Sequence, residues 1–289
     1  ELGLSAIAIT DRNTLAGVVR AYSALKTLKA EARDTLRIRS STQIDSSSRL
    51  PTGRPQNLPC AALPDATPLL PKLIVGTRLV LRDCPVNWLA LPTDLPAYQR
   101  LSRLLTLGKR RAGKAECHLD LEDLLQGCQG LILIALPPSD LSQALSPIQK
   151  LARRYPRSVF LGATPRYDGS DQAWFNDCAA LALRASAPMV AVGDVLMHHS
   201  ARRQLADVLT CLREGITIDC IGTDALPNGE RRLKPAADMA RLYRHHPAAL
   251  RRTIEIATRC SFDLSELKYD YPDERAEGRS PQDRLQHLA

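Results

Sequence analysis

The sequence predicts an α/β fold built on a parallel sheet or a barrel. Short apolar runs alternate with longer helical patterns along most of the chain, the rhythm of strand–helix units. The 289 residues are 44% hydrophobic, enough for a sizeable core, and only 4% aromatic, so Leu, Ala, Ile and Val must fill that core. Residues 5–10 read as a first buried strand and residues 14–31 as the helix that follows. Residues 73–75, 78–81 and 88–91 read as further strands. Thr93 is placed to cap a helix that carries Tyr98, Leu101, Leu104 and Leu105 at three- and four-residue spacing. Asp120, Glu122 and Asp123 open another helix, where carboxylates complement the dipole. Residues 130–136, 159–162 and 189–192 are three more apolar strands with helices between them, and from Pro235 onward the pattern is helical. Residues 40–71, rich in Ser, Pro and Thr, break the rhythm and read as a solvent-exposed insertion containing disorder.

The formal net charge of +8 points to a polyanionic neighbour, with nucleic acid the default. Scarce aromatic residues disfavour a base-stacking platform. Eight cysteines include no CxxC pair, which excludes a zinc ribbon and a thioredoxin-like motif. In the absence of a secretory signal they read as free thiols of a reducing cytoplasm. No apolar run approaches the ~18 residues of a membrane span. The chain starts at Glu1 and stops within a charged, helix-like stretch, so both ends read as cuts in a longer protein.

Three motifs carry possible chemistry. Gly108 to Lys114 satisfies GxxxxGK, the first part of a phosphate-binding loop. The position for a Mg²⁺-ligating Ser or Thr is Ala115, however, and a helix rather than a strand leads in. The stretch therefore reads as a basic surface loop, either merely solvated or meeting nucleic-acid phosphate through Lys109, Arg110, Arg111 and Lys114. Thr10-Asp11-Arg12-Asn13 stands at a strand exit, where barrel active sites gather, and Asp11 is either a ligand or a turn and cap residue. Asp194 and His198 follow a second strand exit and form another ligand pair, against the plainer reading of exposed polar residues. Nucleophile elbows, HExxH helices and dinucleotide fingerprints are all absent.

Residues 4–17, around Thr10-Asp11-Arg12-Asn13, resemble a signature of PHP (polymerase and histidinol phosphatase) domains, in which an Ala-x-Thr-Asp-His-like stretch supplies a metal-binding Asp and His. Residues 105–114 with Glu116-Cys117, residues 194–198 continued by 207–215, Leu233-Lys234-Pro235, residues 239–242 and residues 266–272 are similar to the error-prone branch of bacterial C-family DNA polymerases, the polymerase III alpha-type enzymes. The resemblance covers nearly the whole chain except the 32–71 insertion. It implies a distorted (β/α)7-like PHP barrel of about seven strands over residues 1–265, with metal sites at the strand C-termini, and residues 266–289 as a helical linker to the start of a palm domain. The implied parent activity is template-directed DNA synthesis in damage-induced mutagenesis and translesion repair. Its Mg²⁺-binding palm carboxylates would lie outside this chain, leaving these residues inactive and structural. The implied partners are DNA, a sliding clamp and an inactive Y-family-like polymerase accessory protein.

Several residues depart from the PHP pattern. The N-terminal His-x-His pair is not in the chain, the His expected after Asp11 is Arg12, and the His expected two residues after Asp194 is Leu196. Asp11 and Asp194 survive, with His198 as a possible substitute, so the PHP metal site reads as vestigial. Arg12 would bring a permanent positive charge into the ligand set and could pair with the remaining carboxylates. The competing function is a stand-alone PHP-type metal-dependent phosphoesterase, which needs a full cluster of His and carboxylate ligands.

Overall fold

The computed structural model of the protein describes residues 2–45, 70–268 and 280–288. Strand β1 (Ala6–Arg12) is followed by helix α1 (Ala16–Asp45) and pairs in parallel with β2 (Lys72–Leu79), Ala6 opposite Lys72. The helix runs well past residue 31, because no glycine or proline interrupts the sequence between Gly17 and Pro51. The rest of the proposed insertion, residues 46–69, lies outside the described residues. The two separate strands expected at 73–75 and 78–81 are one strand running through Gly76. A Cβ at Gly76 would stand 2.5 Å from the Leu91 side chain, so glycine keeps the neighbouring strand close.

Strand β3 (Asn87–Pro92) is antiparallel to both β2 and β4 (Leu131–Leu136). The sheet is therefore mixed rather than all-parallel. Its physical reason is the short 80–86 connection, which cannot hold the crossover of a dozen or more residues that a parallel pair requires. Strands β5 (Val159–Ala163) and β6 (Met189–Ala191) continue in parallel, and the strand order follows the sequence from β1 to β6. Residues of β1 and of the β6 exit line one trough of about 970 Å³, so the sheet curls into an open half-barrel. Six strands stand among the described residues where the resemblance implies about seven.

Alternation along the strands gives the sheet two apolar faces. Trp88, Ala90, Leu131, Leu133 and Leu161 pack beneath α2 (Leu95–Arg110), α3 (Leu121–Gly127), α4 (Leu145–Arg154) and α5 (Asp171–Ala185). On the concave face Ile74, Leu89, Ile134, Phe160 and Val190 meet Ile256 and Cys260 at the end of the chain's helical region. That region comprises α6 (Arg203–Glu214), α7 (Ala236–Leu242), α8 (Pro247–Arg259) and, separately, α9 (Pro281–Leu288).

Helix α2 is capped by Asp94 rather than Thr93. The Asp94 carboxylate accepts the Ala97 N–H at 2.8 Å, whereas the Thr93 hydroxyl donates to the Gly130 carbonyl at 2.8 Å. Replacing Asp94 with Ala is expected to cost about 1 kcal/mol of stability, read as a shift in urea unfolding. Gly108 lies inside this helix, and a Cβ there would stand 2.6 Å from the Cys117 sulfur. The glycine lets the returning 117–119 segment pack on the helix and has no phosphate-loop geometry, since no strand feeds it.

Candidate functional site

Strands β1, β2, β4, β5 and β6 point the same way, so their C-terminal ends share one rim. Asp11, Arg12, Arg78, Asp194, His198 and Arg231 line the trough at that rim. Asp194 adopts a left-handed backbone, φ 43°, just beyond β6. Each of its carboxylate oxygens contacts a different guanidinium, one of Arg78 and one of Arg231. The Arg231 Nε also donates to the Asp194 backbone carbonyl at 3.0 Å. The Asp194 side chain is 21% exposed and that of Arg78 19%, so water screens the cluster only in part. Arg231 is held there by the chain itself: its carbonyl accepts the N–H groups of Leu196 and Met197 at 2.9 and 3.2 Å, and Leu233 N–H donates back to Met197 at 3.1 Å.

Asp11 has a different role. Its Oδ2 accepts the Gly17 N–H at 2.9 Å in the first turn of α1, and its backbone carbonyl accepts the Thr77 hydroxyl at 2.8 Å. A Cβ on Gly17 would lie 2.1 Å from that carboxylate oxygen, which explains the glycine six residues downstream. Asn13 locks the next turn, exchanging side-chain hydrogen bonds with the Val80 carbonyl and N–H at 3.2 and 2.9 Å. Arg12 is exposed and forms no ion pair among the described residues, so the guanidiniums that meet Asp194 come from Arg78 and Arg231 instead. His198 is exposed on the rim.

Among the described residues no group of three His, Cys, Asp or Glu side chains is placed to hold a metal ion. Asp11, Asp194 and His198 share the trough but do not fit a metal centre as they stand. A divalent cation on Asp194 would meet two permanent positive charges already bound to both its oxygens.

The basic loop divides. Arg111 pairs with Asp123 at 2.7 Å, which also caps α3 by accepting the Asp120 N–H at 2.9 Å. Arg110 ends helix α2. Lys109 and Lys114 line a second cavity of about 770 Å³, and Arg12 joins them there. Seven described cysteines carry free thiols, and burial pushes those of Cys128 and Cys178 up to about 12, so both stay protonated at neutral pH.

The comparisons with known proteins bear on this geometry. No family model matches the chain. The whole chain is 69% identical over 288 residues to an error-prone DNA polymerase of Ruegeria pomeroyi, of which it covers 26%. It is 42% identical over 291 residues to an error-prone DNA polymerase of Rhodopseudomonas palustris, covering 23% of that protein. Over 289 residues, 99% of the chain, it is 37% identical to the error-prone DNA polymerase 2 of Rhizobium meliloti, covering 22%. Similarity along the whole chain, together with the fold, supports a PHP-domain portion of an error-prone C-family DNA polymerase. The chain spans about a quarter of the length of these curated relatives.

The curled, open mixed sheet with surrounding helices matches the PHP barrel that the resemblance implies, followed by its helical segment. Within this polymerase portion, Arg78 and Arg231 are the residues that sequence reasoning missed. They lie 116 and 37 residues from Asp194, and no local pattern links them. The one available signal was an arginine inside an otherwise apolar strand, which demands a carboxylate partner when partly buried. No described helix of the polymerase portion is long and apolar enough to cross a membrane.

Proposed function

We propose that this chain is the N-terminal PHP part of a cytoplasmic error-prone DNA polymerase and serves that enzyme as a structural scaffold. The supporting observation is similarity along the entire chain to error-prone DNA polymerases, together with a strand-exit site whose central carboxylate is neutralised by two arginines. The parent activity is DNA-directed DNA synthesis in damage-induced mutagenesis and translesion repair, with Mg²⁺ held by palm carboxylates outside these residues. Its partners on this reading are DNA, a sliding clamp and an inactive Y-family-like polymerase accessory protein. A stand-alone phosphoesterase finds less support, because a metal-ligand cluster of the kind it requires is not assembled among the described residues.

Primer extension tests the reading. The complete polypeptide containing this stretch is expected to extend a primer across a template lesion in Mg²⁺, and the 289-residue chain alone is expected to add no nucleotides. Extension by the chain alone would overturn the scaffold role. Failure of the complete polypeptide to extend would overturn the assignment to a working polymerase.

A further inference from the structure

We propose that the cavity between the β1 exit and the Gly113–Glu116 turn binds the phosphate backbone of a single DNA strand through Arg12, Lys109 and Lys114. These cations come from separate parts of the chain, one from a strand exit, one from the last turn of α2 and one from the turn beyond it. None forms an ion pair among the described residues, so three uncompensated positive charges face one concave space. Its lining includes one carboxylate, Glu116, which lies 3.3 Å from His118 Nε2. The lining thus carries a clear positive excess.

The backbone adds donors. Glu116 N–H closes the turn on the Gly113 carbonyl at 3.1 Å, and Ala115 holds a left-handed conformation, φ 72°, that an alanine adopts at a cost. The N–H groups of Gly113, Lys114 and Ala115 donate to nothing among the described residues, and all three residues stand in the cavity wall. Successive unpaired N–H groups in such a turn favour an anion. At about 770 Å³ the cavity is several times larger than one phosphate, which favours a strand running through it over a free ion. Asp123 neutralises Arg111, and neither Arg111 nor Arg110 lines the cavity.

The choice of DNA as the strand rests on the polymerase reading; the phosphate site does not. Fluorescence anisotropy of a labelled single-stranded oligonucleotide on the full chain, across a salt series, tests it. Arg12→Gln combined with Lys114→Ala is expected to weaken binding on the order of tenfold and to flatten the log–log salt slope by roughly 1.4, two phosphate contacts' worth. Arg12→Lys should retain most of the affinity, and Arg153→Ala on α4 should bind like the parent. Because Arg12 and Lys114 are exposed, the double variant should keep the parent's unfolding midpoint. Unchanged affinity in the double variant would overturn the site. So would displacement of the oligonucleotide by low-millimolar inorganic phosphate at constant ionic strength, which would mark a free-anion pocket. A complete polymerase that extends primers while this chain fails to bind would reject the pocket and leave the functional reading intact.

Discussion

Replacing Asp194 with Asn is expected to lower the free energy of unfolding by about 2 kcal/mol. Removing one member of a fully buried charge cluster costs about 3–5 kcal/mol, and partial exposure of this cluster reduces that figure. The variant keeps the side-chain shape but leaves the Arg78 and Arg231 guanidiniums facing each other without a counter-charge. Urea unfolding followed by circular dichroism reads the effect, and adding Arg231→Gln should recover part of the loss by removing the repulsion. An Asp194→Asn protein as stable as the parent would show that the two arginines contribute nothing through this carboxylate.

Tyr243→Ala is expected to cost about 4 kcal/mol of stability, the cost of removing a large aromatic from a closed core. The ring is fully buried and stacks on Phe175 with centroids 4.6 Å apart. Its hydroxyl donates to the Ala163 carbonyl at 2.6 Å and lies 3.3 Å from that of Val192, so one residue after α7 ties together the exits of β5 and β6. Burial raises the phenol well above its ordinary range and keeps it a donor. Tyr243→Phe should retain the packing and lose only about 1 kcal/mol for the hydrogen bonds. Val192 stands two residues before Asp194, so the Tyr243→Phe and Asp194→Asn effects are expected to be non-additive in a double-mutant cycle. Equal stability of Tyr243→Phe and Tyr243→Ala would contradict the packing argument.

The sequence revealed the strands most clearly where burial makes them continuously apolar, as in β4 and β5. It did not reveal strand direction, because β3 is as apolar as the strands that run parallel to one another, and only the length of the 80–86 link separates a hairpin from a crossover. Cap assignment failed by one residue at α2, where Thr93 and Asp94 are both competent caps and a tertiary bond to Gly130 claims Thr93. At the site, the motif around Asp11 was visible, but its role depends on Gly17, which reads as ordinary in sequence. The pairing of Asp194 with Arg78 and Arg231 was invisible, since it depends on how the curled sheet closes over long sequence separations. Arg12, which stands where the PHP pattern places a histidine, lines the trough with Asp11 and Asp194 without pairing to either, and also lines the cavity of Lys109 and Lys114.

Equilibrium dialysis of the purified chain against Zn²⁺ or Mn²⁺, with retained metal measured by elemental analysis, tests most directly whether arginines have replaced the metal at the PHP strand exits. The account predicts no tight stoichiometric retention, and the same result for Asp194→Asn. One or more equivalents held tightly, and lost in Asp194→Asn, would contradict it.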